Sequence, residues 1–205
     1  MKKIAYLLFV LLSYSYSYLQ AEEHSVTNKL LKLSLGYLTG QATHELGHYV
    51  VAWSVGVEIY PVWDFKNIPP LSHGLKLTSR ENCPVIGMGG FFAEYIASET
   101  ILAFSSLKTD DGEFDYFLCG WLLQTIICPI GYSLIEETNP NFRGDIWWGG
   151  YLESRGSNKG IRSNIETFLV GHAIITAARM IFKLNDSGRL QLTSTPTSIA
   201  VQIAF

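Results

Sequence analysis

His44-Glu45-Leu46-Gly47-His48, set inside the apolar run from Leu30 to Val57, is the stretch on which the reading of this chain turns. No proline interrupts the run, so it reads as one helix. On a helix, residues four apart share a face. The His44 and His48 imidazoles can therefore bind a single Zn²⁺, with Glu45 beside the first of them as general base on the water that the ion holds. Ionisable groups are costly to bury in an apolar helix, which makes this cluster a candidate functional site. The alternative is a buried His-Glu hydrogen-bonded pair with no metal. Gly47 allows another backbone to approach closely.

The surrounding composition agrees with an apolar setting. Hydrophobic residues make up 48% of the 205 and charged residues 16%, against roughly 25% charged in an average soluble domain. Mean hydropathy is positive. A net charge of -3 excludes the basic surface that a nucleic-acid partner requires. Cys83, Cys119 and Cys128 are odd in number and never spaced Cys-x-x-Cys, so they give neither a disulfide framework nor a thiolate zinc site. They read as small buried apolar residues.

Three more apolar stretches follow the motif: Pro84 to Phe104 with Glu94 and Glu99, Tyr116 to Ile135 with no charge but with Pro129, and Ile165 to Phe182 with His172 and Arg179. The uncharged one is long enough to span a bilayer, which takes about 20 apolar residues. In lipid, the polar groups of the others should face the bundle interior. Between the first two, the alternation from Val57 to Phe65 and again from Leu75 to Thr78, with turns at Pro69-Pro70 and His73-Gly74, predicts a small β-ribbon. Glu136 to Arg162 reads as a long, Gly-rich polar loop holding Trp147-Trp148, a pair suited to a membrane interface. The tail from Arg189 to Phe205 has strand-like alternation. The expected fold is mainly α: a bundle of about four apolar, membrane-embedded helices, a small β-ribbon after the first, and a short C-terminal β segment, all in one domain over residues 22–205.

Residues 1–21 read as an export signal, with Lys2-Lys3, an apolar core from Ile4 to Leu12, and a cleavage site after Ala21. Leu19 is not the small residue preferred three places before a cut, which leaves an uncleaved anchor helix as the alternative.

The motif with its flank, His44-Glu45-Leu46-Gly47-His48-Tyr49-Val50-Val51-Ala52 followed by Gly56-Val57, resembles the first motif of the site-2 protease class of membrane zinc metallopeptidases. Gly89-Gly90-Phe91-Phe92-Ala93 sits where that family carries a Gly-rich helix. The resemblance implies a membrane-embedded motif helix, short strands after it, a third zinc ligand from a later Asp, and a peptide or membrane-protein substrate cut in or near the membrane. Where the family reads Asn-Pro and then Leu-Asp-Gly, this chain has Asn139-Pro140-Asn141-Phe142-Arg143-Gly144-Asp145 and then Gly149-Gly150.

Asp145 is the preferred third ligand, because a carboxylate completes a two-His zinc site and leaves the fourth position for water. A turn or helix N-cap is its other role. Glu94 is the runner-up ligand. Its other roles are to pair with Arg179 or to accept a hydrogen bond from a ligating His. His172 comes third and reads more simply as a satisfied core residue. His24 and His73 carry no role, and Glu99, Asp110 and Asp111 read as helix-end and solvent charges. Gln41 and Thr43 are within reach of hydrogen bonds in the site. The expected function is a zinc metallopeptidase in the membrane, with lipid around it. The alternatives are an exported soluble zincin, periplasmic or secreted, and an inactive membrane scaffold that keeps the motif.

Overall fold

The run around the motif folds as one continuous helix, α1 (Val26–Ser54). It ends where Gly56 takes a φ of +73°, a left-handed conformation that glycine adopts without a Cβ penalty. In this computed structural model the described residues are 26–63, 71–76, 82–110, 112–139, 143–152, 156–185, 190–195 and 198–203. The segment read as a signal or anchor (1–21), His24, Pro69-Pro70, Asp111 and Pro140 lie outside them.

After α1, strands β1 (Glu58–Trp63) and β2 (Leu71–Lys76) pair antiparallel, from Glu58 with Lys76 to Trp63 with Leu71. This is the ribbon the alternation predicts. His73-Gly74, expected at a turn, instead lies within β2 opposite Pro61 and Tyr60. Helix α2 (Cys83–Phe104) has Pro84 in its first turn, where no backbone donor is missed. Helix α3 (Tyr116–Thr138) is capped by Asp115, which accepts from the Leu118 amide at 3.0 Å.

The stretch from 136 to 162 departs from a plain polar loop. It contains the end of α3, a short helix α4 (Asp145–Gly149), a two-residue ladder of β3 (Tyr151–Leu152) with β4 (Gly156–Ser157), and the start of α5 (Lys159–Leu184). Asn158 caps α5 by accepting from Ile161. The tail forms a hairpin of β5 (Leu190–Thr195) and β6 (Ser198–Ile203).

Helix α1 packs against both α2 and α3, and α3 packs against α5. Side-chain-free contacts set how close α1 comes to its neighbours. A Cβ on Gly47 would collide with the Gly89 backbone of α2. One on Gly36 would strike the Phe117 carbonyl of α3, and one on Gly120 the Leu33 carbonyl of α1. Small residues at such crossings let apolar helices meet backbone to backbone. Glu99 is no solvent charge: both its oxygens accept from Arg179 Nη1, at 2.6 and 2.7 Å, which ties α2 to α5.

The outer faces are apolar. Trp53 is 82% exposed, Phe104 87% and Ile96 64%, with Leu38, Leu46, Leu134 and Ile174 also facing outward. Helices α2, α3 and α5 are long and apolar enough to cross a membrane.

Candidate metal centre

The first helix supplies two imidazoles on one face, as its four-residue spacing requires. His44 and His48 are fully buried, their ring centroids 4.7 Å apart. Their Nε2 atoms face each other at 3.0 Å. Asp145, the first residue of α4, brings Oδ2 to 2.9 Å from His44 Nε2 and 3.4 Å from His48 Nε2. Gly144 occupies the cap position, so the Asp145 side chain is turned to the histidines rather than to its own helix end.

The proton positions follow from the partners on the other side of each ring. His48 Nδ1 lies 2.6 Å from the Ile86 carbonyl, which can only accept, so Nδ1 carries the proton. His44 Nδ1 donates in the same way to Glu94 Oε1 at 3.0 Å. Both Nε2 atoms then point at each other and at a carboxylate oxygen. Three such atoms within 3.4 Å of one another in a buried setting need positive charge among them, a metal ion or protons. Zinc bonds of about 2.0–2.1 Å in a tetrahedron separate donors by roughly 3.3 Å, close to this triangle.

Gly90 of α2 clears the space beside them. A Cβ there would sit 2.5 Å from His44 Nε2 and 2.6 Å from His48 Nε2. The donor set, its spacing and this side-chain-free wall fit a divalent cation. Burial alone would push the Asp145 carboxyl up. The imidazoles of His48 and His44 outweigh it and hold Asp145 well below the usual carboxylate range.

Glu94 sits on the far side of His44 from this triangle, in contact with Nδ1, and Arg179 is bound to Glu99 instead. Its geometry is that of the acceptor that fixes a ligating imidazole's tautomer. His44, Glu94 and Cys128 also bring three donor atoms within 4.8 Å of one another. On that side, however, the Glu94 charge is already met by the His44 N–H and by Gln124 Nε2 at 2.6 Å, so we favour the first triangle.

Glu45 is buried beside His44 and accepts from Gln41 Nε2 at 3.2 Å. Thr43 is not part of this network: its hydroxyl donates back to the Thr39 carbonyl at 2.9 Å. His172 is a buried core residue on α5, with the hydroxyls of Ser98 and Thr176 each 3.3 Å from Nε2.

Several residues at the centre carried no expectation from sequence. The Tyr132 ring stacks on His44, with centroids 6.0 Å apart. Glu136 accepts from the Trp147 amide at 3.0 Å and so anchors α4. Gln124, fully buried, is a lone amide in an uncharged apolar stretch, and that contrast was visible in the sequence.

No protein-family model, curated protein or solved structure matches this chain.

Proposed function

We propose that this chain is a zinc metallopeptidase of the membrane, similar in its core to the site-2 protease class, with His44, His48 and Asp145 as metal ligands and Glu45 as general base. The observation that carries the reading is the buried triangle of two imidazole Nε2 atoms and one carboxylate oxygen, 2.9–3.4 Å on each edge. Zinc held there would act as a Lewis acid and bring the pKa of a bound water to about 7.

The chain's own residues do the rest. Glu94 and the Ile86 carbonyl keep the two rings in the tautomer that presents Nε2. Glu45 takes the proton of the attacking water and returns it to the departing amine. The walls formed by Phe91 and Tyr132 around His44 exclude bulk water, which strengthens each charge interaction. Three membrane-capable helices and the outward apolar side chains support a substrate in or near the bilayer. An N-terminal export signal would bring the chain to that membrane.

The test is metal content followed by activity. Purified wild type should carry about one zinc per chain, and His44→Ala should lose it. Glu45→Gln should keep the zinc and abolish cleavage of an unfolded protein such as casein in detergent. A metal-free, stably folded wild type would favour the scaffold alternative. Full release from membranes by carbonate would favour a soluble zincin.

A further inference from the structure

The polar groups behind the centre form a single chain that runs from one acid to the other. Gln41 Nε2 donates to Glu45 Oε1 at 3.2 Å. Gln124 Nε2 donates to Gln41 Oε1 at 3.4 Å and to Glu94 Oε1 at 2.6 Å. Glu94 in turn accepts from His44 Nδ1 at 3.0 Å. Helices α1, α2 and α3 each contribute members. Gln41, Glu45, Glu94 and Gln124 are all buried, and Gln124 and His44 completely so.

Donor and acceptor counting fixes both amides. A carboxylate oxygen accepts, so Gln41 and Gln124 each turn their NH₂ toward a glutamate. Gln41 then has only its carbonyl to offer Gln124, which spends both of its N–H bonds, one on each side. The Gln124 carbonyl is left over, and it is buried with no hydrogen-bond partner among the described residues. It lies against Gly40, where a Cβ would come within 2.9 Å of it. A buried carbonyl without a donor is destabilising, and an apolar side chain at position 124 would avoid it. The retained amide therefore points to what its two N–H groups do.

We propose that Gln124 is a positioning residue that orients the general base and the metal-ligating imidazole together: one N–H holds Glu45 through Gln41, the other holds Glu94 against His44. This rests on the metallopeptidase reading and extends it to a residue of α3 that touches neither metal nor substrate. The device sets the two acids at a fixed spacing, so a movement of α3 displaces both at once.

The test uses the full-length, zinc-loaded protein in detergent, comparing wild type with Gln124→Met, Gln41→Leu and the double variant. Three readouts are zinc content, turnover on fluorescent casein, and the low-field proton resonance of the His44 Nδ1–H in ¹⁵N-histidine-labelled protein. Gln124→Met should keep its zinc, lose about ten-fold to a hundred-fold in turnover, a fraction of what a general base contributes, and move the Nδ1–H resonance. Gln41→Leu should lose turnover but leave that resonance in place, because the Glu94 arm is intact. The double variant should be no slower than Gln124→Met alone.

A Gln124→Met protein with unchanged turnover and unchanged resonance overturns the proposal, whatever happens to its melting temperature. So does a Gln41→Leu variant that moves the resonance as far as Gln124→Met. Should Gln124→Met fail to fold, Gln124→Asn supplies the same comparison, since it keeps a polar amide and draws its N–H groups back by one methylene from Gln41 and Glu94. Zinc is measured first on wild type. A wild type without zinc sinks the metal centre itself, and that failure is distinct from a zinc-loaded protein in which Gln124 has no effect.

Discussion

At the residue scale the centre is defined as much by an absent side chain as by its ligands. Gly90 faces both Nε2 atoms, so Gly90→Ala places a methyl group where a cation would lie. We expect that variant to fold and to lose its zinc, read by elemental analysis. A Gly90→Ala protein that still holds a full equivalent would show that the metal lies elsewhere. Asp145 and Glu94 are separable in the same assay. Asp145→Asn removes a charged donor from the triangle, whereas Glu94→Gln only weakens the support of His44. Loss of such a supporting partner typically lowers metal affinity about 10–100-fold. Glu94→Gln should fall in that range, and Asp145→Asn should fall well below it. The reverse order would make Glu94 the ligand and Asp145 its support. His44 and His48 were legible from spacing alone because a helix converts a four-residue separation into a shared face. Sequence put Asp145 ahead of Glu94 as third ligand, but which nitrogen of His44 each carboxylate meets depends on the crossing of α1 with α2 and α4 and could not be read from it.

At the scale of elements, α4 is the piece on which the third donor depends, and at five residues it cannot hold itself. It is fixed from outside. Glu136 accepts from the Trp147 amide, Ser157 donates to the Trp147 carbonyl at 2.9 Å, and Arg143 lies over the Trp147 ring at 4.9 Å. Gly87 of α2 lets the Asp145–Gly149 backbone come close, since a Cβ there would meet the Asp145 carbonyl at 3.0 Å. Glu136→Ala should therefore weaken zinc binding about ten-fold or more, as a lost outer support does, while His44 and His48 are untouched. Competition with a chromogenic chelator measures it, and unchanged affinity would show that α4 is held without Glu136. The four long helices were readable because each is a run of apolar residues, although the last begins at Lys159, ahead of its apolar run from Ile165 and inside the stretch read as a loop. Helix α4 was not. Its sequence, with Gly144, Gly149 and Gly150 around Trp147-Trp148, carries turn residues and no helical period, and contacts with α2, α3, α5 and β4 hold it helical.

At the scale of the whole molecule, the donors join parts of the chain that are far apart. Asp145 lies 101 residues beyond His44, and Gly47, Gly87 and Gly89 leave little side-chain packing where α1, α2 and α4 meet. A cation at the triangle would therefore tie α1 to α4 across α2 and act as a structural clamp as well as a catalytic group. Anything that binds only the folded state stabilises it, by on the order of 4 kcal/mol at a thousand-fold excess over its dissociation constant. For a chain of this size that amounts to roughly 10 °C or more in melting temperature. Chelation should lower the melting temperature of the detergent-solubilised wild type by about that amount, and zinc should restore it. His44→Ala should melt near the chelated wild type and show no response to either treatment. Glu45→Gln should keep the whole zinc response, because its carboxylate is not one of the three donors of the triangle. Wild type that melts at the same temperature with and without chelator would mean that repulsion among the three donors is relieved by protons instead of a metal, and the hydrolase assignment would fall with it.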